Sequence, residues 1–123
     1  MMLAQLGADV ILIEDPARPG PLDFSRRTYN RGKRSILLDL AGSDADRATF
    51  HELVAGADIV FTTDDRATLR ERGMAPEQLE ALNPGLVHVS ITAFGLDGPK
   101  ADYHATDLVA LAAGGLLKIT GDQ

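Results

Sequence analysis

Residues 86–107 read LVHVSITAFGLDGPKADYHATD. The first seven mix apolar and β-branched side chains, which predicts a short strand over 86–92. Gly95, Gly98 and Pro99 then punctuate a long loop, and an apolar segment, LVALAAGGLL (108–117), suggests a helix after it. Strand, loop and helix in that order, repeated along a chain, define an α/β protein. A loop of this length inside a small domain is either functional or disordered. This one ends in Tyr103, His104 and Asp107.

The same pattern extends upstream. MMLAQLG (1–7) resembles the last turns of a helix closed by Gly7 in a left-handed cap, with no N-cap before it, so the chain is expected to begin partway through a fold. DVILIE (9–14) is a short apolar run of the kind that becomes a strand covered on both faces. Residues 15–34 read as a polar loop, with Pro16, Pro19, Gly20 and Pro21 leading to the basic run RRTYNRGKR. SILLDL (35–40) predicts a second strand. Ser43 or Asp44 can cap a helix to about Ala55, whose apolar positions include Ala45, Ala48, Phe50, Leu53 and Val54. DIVFTT (58–63) predicts a third strand. A charged helix from Asp65 to Arg72 is closed by Gly73, and a short one opens at Pro76 and stops at Asn83-Pro84. The last helix, near 105–117, is weakened by Gly114-Gly115. The alternation predicts a mostly parallel sheet with flanking helices and right-handed crossovers.

Bulk properties narrow the function. One domain is the natural expectation for 123 residues, and a chain of that size buries roughly 65% of its unfolded surface. With 45% hydrophobic residues and both charge signs spread along it, the sequence reads as globular. A net charge of −6 argues against a general nucleic-acid binder. Without cysteine there is neither a disulfide framework nor a thiolate metal site, which fits a cytoplasmic protein. No apolar run approaches the about 18 residues of a membrane span, and the first residues lack the basic region and long apolar core expected of a signal peptide.

In open parallel sheets, ligands bind beyond the carboxyl ends of strands. That rule nominates Glu14-Asp15, Ala41-Gly42, 63–65 and the loop from Thr92. Glu14 stands where dinucleotide-binding folds place a ribose-binding acid, but the chain has no GxG turn, so the simpler reading is a strand-end acid facing water. Asp64 and Asp65 suit either a Mg²⁺ site or capping of the next helix, and capping is the simpler of the two. Arg26, Arg27, Arg31, Lys33 and Arg34 place five of the twelve Lys and Arg residues within nine positions. Such a cluster can hold a phosphate, meet another subunit, or simply be solvated. His51 and His88 have no partner at ligand spacing and read as packing or surface residues. Asp107 reads as a general base, a nucleophile or, more simply, the first-turn acid of its helix. No metal-ligand motif, Walker loop or serine-hydrolase elbow occurs.

Taken in order, LGADVILIE (6–14), NRGKRSILLDL (30–40), LVAGADIVF (53–61), the Gly73 turn, LEALNPGLVHVSITAFGLDGP (79–99) and TDLVALAAGGLLKITG (106–121) resemble family III CoA-transferases, the CaiB–BaiF family. The resemblance is collinear over nearly all of 1–123 and covers only the first part of a typical member. It implies a Rossmann-like α/β fold, with 1–123 a single, incomplete portion of a larger domain, and an interlocked homodimer of the longer protein. It further implies an enzyme that moves CoA between carboxylic acids, with acyl-CoA and a carboxylic acid as substrates and no permanently bound cofactor. In the family an aspartate attacks the acyl-CoA thioester, giving a mixed anhydride and then an enzyme-bound thioester. That aspartate lies well downstream of the position matched by Thr106, hence beyond Gln123, so the chain alone should be catalytically silent. Thr106 also replaces the proton-relaying histidine of the family's racemases. Asp107 matches the family's adjacent acid, a supporting residue.

By the same resemblance, Leu38, Asp39, Leu40, Ala41, Tyr103, His104, Ala105 and Thr106 line the CoA site. The sequence departs from the family at Ala41, where Lys is frequent, at 63–67, where TDDRA replaces NFRPG, and at Glu71, where a basic residue is common. Three lost charge-assisted contacts at roughly 1.5 kcal/mol each amount to about three decades in affinity. A degenerate, non-catalytic half serving as a dimerisation or scaffold element is therefore a second reading. A stand-alone α/β nucleotide- or Mg²⁺-binding module is a third.

Overall fold

The computed structural model describes residues 2–18, 20 and 24–119, with the backbone alone at Ser25. Pro19, Pro21 and the terminal Thr120-Gly121 lie outside the described residues. The chain divides into two compact units, Met1–Leu53 and Val54–Gln123.

In the first unit, α1 (Met2–Gln5) leads through Gly7, at φ +98°, to β1 (Ile11–Glu14). That angle is costly for any residue with a Cβ, which accounts for glycine at this turn. Then come α2 (Phe24–Tyr29), β2 (Arg34–Leu37) and most of α3 (Asp44–Ala55). β1 and β2 pair in parallel, with Leu12 opposite Ser35 and Glu14 opposite Leu37. Leu38 extends the ladder, its N–H donating to Glu14 O at 3.0 Å. The expected strand to residue 40 ends early because Asp39 folds back. Its Oδ1 accepts from the N–H groups of Gly42 at 2.8 Å and Ala41 at 3.2 Å, a local turn that competes with the ladder. Ser43 caps α3 through its hydroxyl, which accepts from Asp46 N. Leu38, Leu40 and Phe50 are the buried apolar side chains of this unit.

The polar loop expected over 15–34 contains α2. Three prolines and a glycine dominate the composition around it, while FSRRTY has only one helical turn and a half in which to declare a period.

In the second unit, β3 (Ile59–Thr62) and β4 (Val87–Ser90) form another parallel pair, separated by α4 (Arg66–Glu71) and α5 (Pro76–Leu82). Gly73 closes α4 at φ +73°, and Pro76 opens α5 as expected. Asn83 does more than stop α5. Its Nδ2 donates to Val54 O at 3.0 Å and Ala57 O at 2.9 Å, satisfying carbonyls at the end of α3. Val54, Leu69, Met74, Ala75 and Leu79 are buried. The final α6 (Asp107–Ala113) stops at Gly114, and Gly115, at φ +80°, turns the chain into a 3₁₀ turn, Leu116–Lys118. The helix expected over 105–117 is thus split at its two glycines. Helices alternating with parallel strands make the fold α/β.

Candidate functional site

The nominated strand ends lie in separate units, and each has its own geometry. Beyond β2, segment 38–41 is held against α3. Asp39 N donates to Asp46 Oδ2 at 2.8 Å, while Arg47 Nη1 donates to Leu40 O at 2.9 Å and to Ala41 O at 3.1 Å. Arg47 is itself braced by Asp44. Leu38 and Leu40 point inward, so this platform presents Ala41 and Gly42 to solvent. A Cβ on Gly42 would lie 2.5 Å from Asp39 Oδ2, so any other residue here would push the Asp39 carboxylate out of its present position in the turn.

At the end of β1, Glu14 does not face water as the simpler reading had it. It accepts from Ser35 Oγ at 2.6 Å and forms an ion pair with Arg26, tying α2 to the β1–β2 ladder.

Beyond β3, Asp65 is the N-cap of α4. Its Oδ1 accepts from Thr68 N at 2.9 Å and its Oδ2 from Thr68 Oγ1 at 3.1 Å. Asp64 pairs with Arg72 at 3.3 Å. Asp64 is thus paired and Asp65, although exposed, is tied to the start of α4, and Glu71 is left exposed with no side-chain partner among the described residues. The Thr68 N–H is the main reason the Asp65 carboxyl sits below its ordinary value of 3.8, and the charge of His104 adds a smaller pull in the same direction. Among the described residues no group of three His, Asp or Glu side chains gathers at metal-ligand spacing.

The loop after β4 is a chain of turns. Gly95 and Gly98 adopt φ of +83° and +95°. Arg66 reaches Asp97 at 3.1 Å, and Tyr103 meets Phe94 edge-on with ring centres 6.2 Å apart. Tyr103, His104 and Thr106 are exposed and Ala105 is half-buried. Thr106 is the N-cap residue of α6, with no side-chain cap bond, and Asp107 is the first residue of the helix, as the helix-start reading has it. The loop brings His104 close enough to Asp65 for their charges to interact. Sequence reasoning nominated the loop from Thr92 but missed that residue's hydroxyl, which is buried at the head of the loop with no hydrogen-bond partner among the described residues. Such an atom is normally satisfied by water or a ligand. A single Thr in a strand-end run carries no sequence signal of this.

On the inner face of the β3–β4 ladder, Thr62 Oγ1 lies 2.9 Å from His88 Nε2 and 3.3 Å from Ser90 Oγ. If Thr62 gives its one proton to Ser90, His88 donates from Nε2. Burial holds the His88 imidazole below its ordinary 6.5. His88 is thus a packing residue with a polar partner.

A family model described as CoA-transferase family III matches residues 1–123. A succinate–glutarate CoA-transferase of Agrobacterium fabrum is 38% identical over 98% of this chain and 34% of its own length. A succinyl-CoA:mesaconate CoA-transferase of Haloarcula hispanica is 38% identical over all of this chain and 35% of its own. A crystal structure of a CaiB/BaiF family protein from Brucella suis superposes with a TM-score of 0.81 at 36% identity, over 98% of this chain and 35% of that one. The chain thus spans about a third of the length of the relatives it matches. With collinear sequence, matching fold and a match that runs from first residue to last, the chain belongs to family III of the CoA-transferases.

Proposed function

We propose that residues 1–123 are a portion of one larger domain of an acyl-CoA:carboxylate CoA-transferase. The observation that carries this reading is the family match along the whole chain, joined to relatives that bear the names of CoA-transferases. In this reading acyl-CoA and a carboxylic acid are the substrates, and the protein works in the cytoplasm without a permanent cofactor. The longer protein forms an interlocked homodimer. A downstream aspartate attacks the thioester carbonyl and expels the CoA thiolate, leaving a mixed anhydride. The thiolate then attacks the aspartyl carbonyl, releasing the first acid and leaving CoA on the enzyme for the acceptor. Residues 1–123 contribute binding surface and no nucleophile, so alone they are inactive. Contacts to CoA are assigned to Leu38, Asp39, Leu40 and Ala41 and, separately, to Tyr103, His104, Ala105 and Thr106, with Asp107 supporting the second group.

The pairing of Asp64 with Arg72 and the capping role of Asp65 support this reading, because paired and capping carboxylates repel a phosphate-rich ligand less than free ones. Glu71, exposed and unpartnered among the described residues, favours the second reading, a degenerate half kept as a dimerisation element. Calorimetry with CoA on the longest reading frame that contains this chain separates the two. Micromolar binding is the expected result, and no heat at millimolar CoA would replace the enzyme reading by the degenerate one.

A further inference from the structure

Four cationic side chains, Arg26 and Arg27 of α2 with Lys33 and Arg34 before and in β2, line a cavity of about 450 Å³ in the first unit. That volume is in the range of small-molecule sites. Among the described residues Glu14 is the one acid in the lining, and it is engaged by Arg26 and Ser35. Arg34 is engaged by Asp9, which is not part of the lining, through a two-pronged contact with Nε 2.9 Å from Oδ1. Setting both acids against the four cations leaves an excess of two positive charges. Two donors remain available to account for it. The exposed Arg27 side chain has no partner among the described residues. Lys33 Nζ gives one proton to Asn30 Oδ1 at 2.9 Å and keeps two.

In a chain of net charge −6, gathering unspent cations around one concavity favours a small anion over a polymer. Nucleic acid needs an extended basic face, which this acidic chain lacks. Guanidinium and ammonium groups converging on one cavity match a phosphoryl group, whose several oxygens accept from planar forks and point charges together. We infer that the groove between α2 and the β1–β2 ladder binds a small phosphoryl anion through Arg27 and Lys33, with Arg26 positioned by Glu14.

The test is a phosphorus NMR titration of the 123-residue chain with inorganic phosphate, pyrophosphate and glycerol phosphate, and a parallel calorimetric titration with succinate. Saturable binding of at least one phosphoryl probe, tighter than succinate, is expected. Binding of free phosphate or pyrophosphate alone would place the source among inorganic ions, and binding of the ester as well would extend it to phosphate esters. Arg27→Gln and Lys33→Gln should each weaken binding by about tenfold or more. Arg18→Gln, outside the cavity, should leave it unchanged, and circular dichroism would check that the variants keep their secondary structure. The proposal is overturned if no phosphoryl probe binds, if succinate binds equally well, or if the Arg18 variant loses as much as the other two.

Discussion

Both carboxylate oxygens of Asp65 turn back onto Thr68, so this residue spends its charge on the start of α4. Asp65→Ala should cost roughly 1 kcal/mol of stability, the usual worth of an N-cap, as read from urea midpoints. Because the folded carboxyl titrates below 3.8, its contribution is complete above that pH and is lost as pH falls through the lower, folded value. Asp65→Asn retains an acceptor but not the charge and should remove that acid-limb slope. Magnesium should leave the melting temperature unchanged, since a cation at this strand end would have to displace the Thr68 bonds and the Asp64–Arg72 pair. A magnesium-dependent rise that disappears in Asp64→Ala would instead revive the metal-site reading. His88 acts in a different pH window. Its folded value lies below 6.5, so the unfolded chain binds the extra proton between those two values and stability climbs with pH across that window. His88→Gln keeps a donor for Thr62 but cannot titrate, so the slope just below 6.5 should flatten. An unchanged slope would assign it to other groups.

Asn83 shows how one side chain joins elements. Its amide group donates to Val54 O and Ala57 O, while its Oδ1 accepts from Gly85 N at 3.0 Å, so the turn after α5 is locked onto the end of α3. Asn83→Asp preserves the shape and the Gly85 bond but turns a carboxylate toward two carbonyls. A loss of roughly 2–3 kcal/mol is expected from removing two donors to partly buried acceptors, and a change within a few tenths in chemical denaturation would show that these bonds are dispensable. At this scale the strands were the legible part. ILIE, IVFT and VHVS all appear inside their expected runs, because a short apolar run between turn residues leaves a chain few alternatives. Asn83-Pro84, Gly73 and Pro76 also act where local stereochemistry alone would put them. Other features depend on partners far along the chain and could not be read locally. β2 ends at Leu37 because Asp39 reaches Gly42 and Asp46. Glu14 is internal because α2 delivers Arg26 to it, and α2 was itself hidden in a proline-rich stretch. Of the candidate site, the cap at Asp65 and Asp107 as a first-turn acid were visible in the sequence. The orphan hydroxyl of Thr92 and the cavity at Arg27 exist only once the chain is folded.

Across the whole molecule, the distribution of apolar surface is unusual for parallel ladders, which are normally covered on both faces. In the second unit, Ile59 and Phe61 of β3 and Val87 of β4 share one face of the ladder and are all exposed, Phe61 at 53%. The opposite face holds Val60, Thr62, His88 and Ser90 and is the more buried one. Leu108, Val109 and Leu111 of α6 and Leu116, Leu117 and Ile119 beyond it are exposed as well, as is Leu37 in the first unit. An element that covered the three strand residues would gain about 3 kcal/mol by removing their remaining apolar area from water. The chain spans about a third of its relatives' length, and the proposed larger domain has ample chain to supply such cover. The 123-residue chain studied alone should therefore bind a hydrophobic dye and self-associate in a concentration-dependent way, as measured by fluorescence and sedimentation velocity. Phe61→Thr combined with Val87→Thr keeps β propensity on both strands while removing two large apolar groups from that face. The double variant should retain its circular dichroism spectrum, bind less dye and shift toward monomer. If the unmodified chain is instead monomeric, melts cooperatively and leaves the dye dark, these faces need no cover and the partial-domain reading fails. If the chain self-associates and the double variant does so equally, the association runs through α6, in which case Leu108→Gln with Leu111→Gln should abolish it, or through the strand edges, in which case that pair should leave it unchanged.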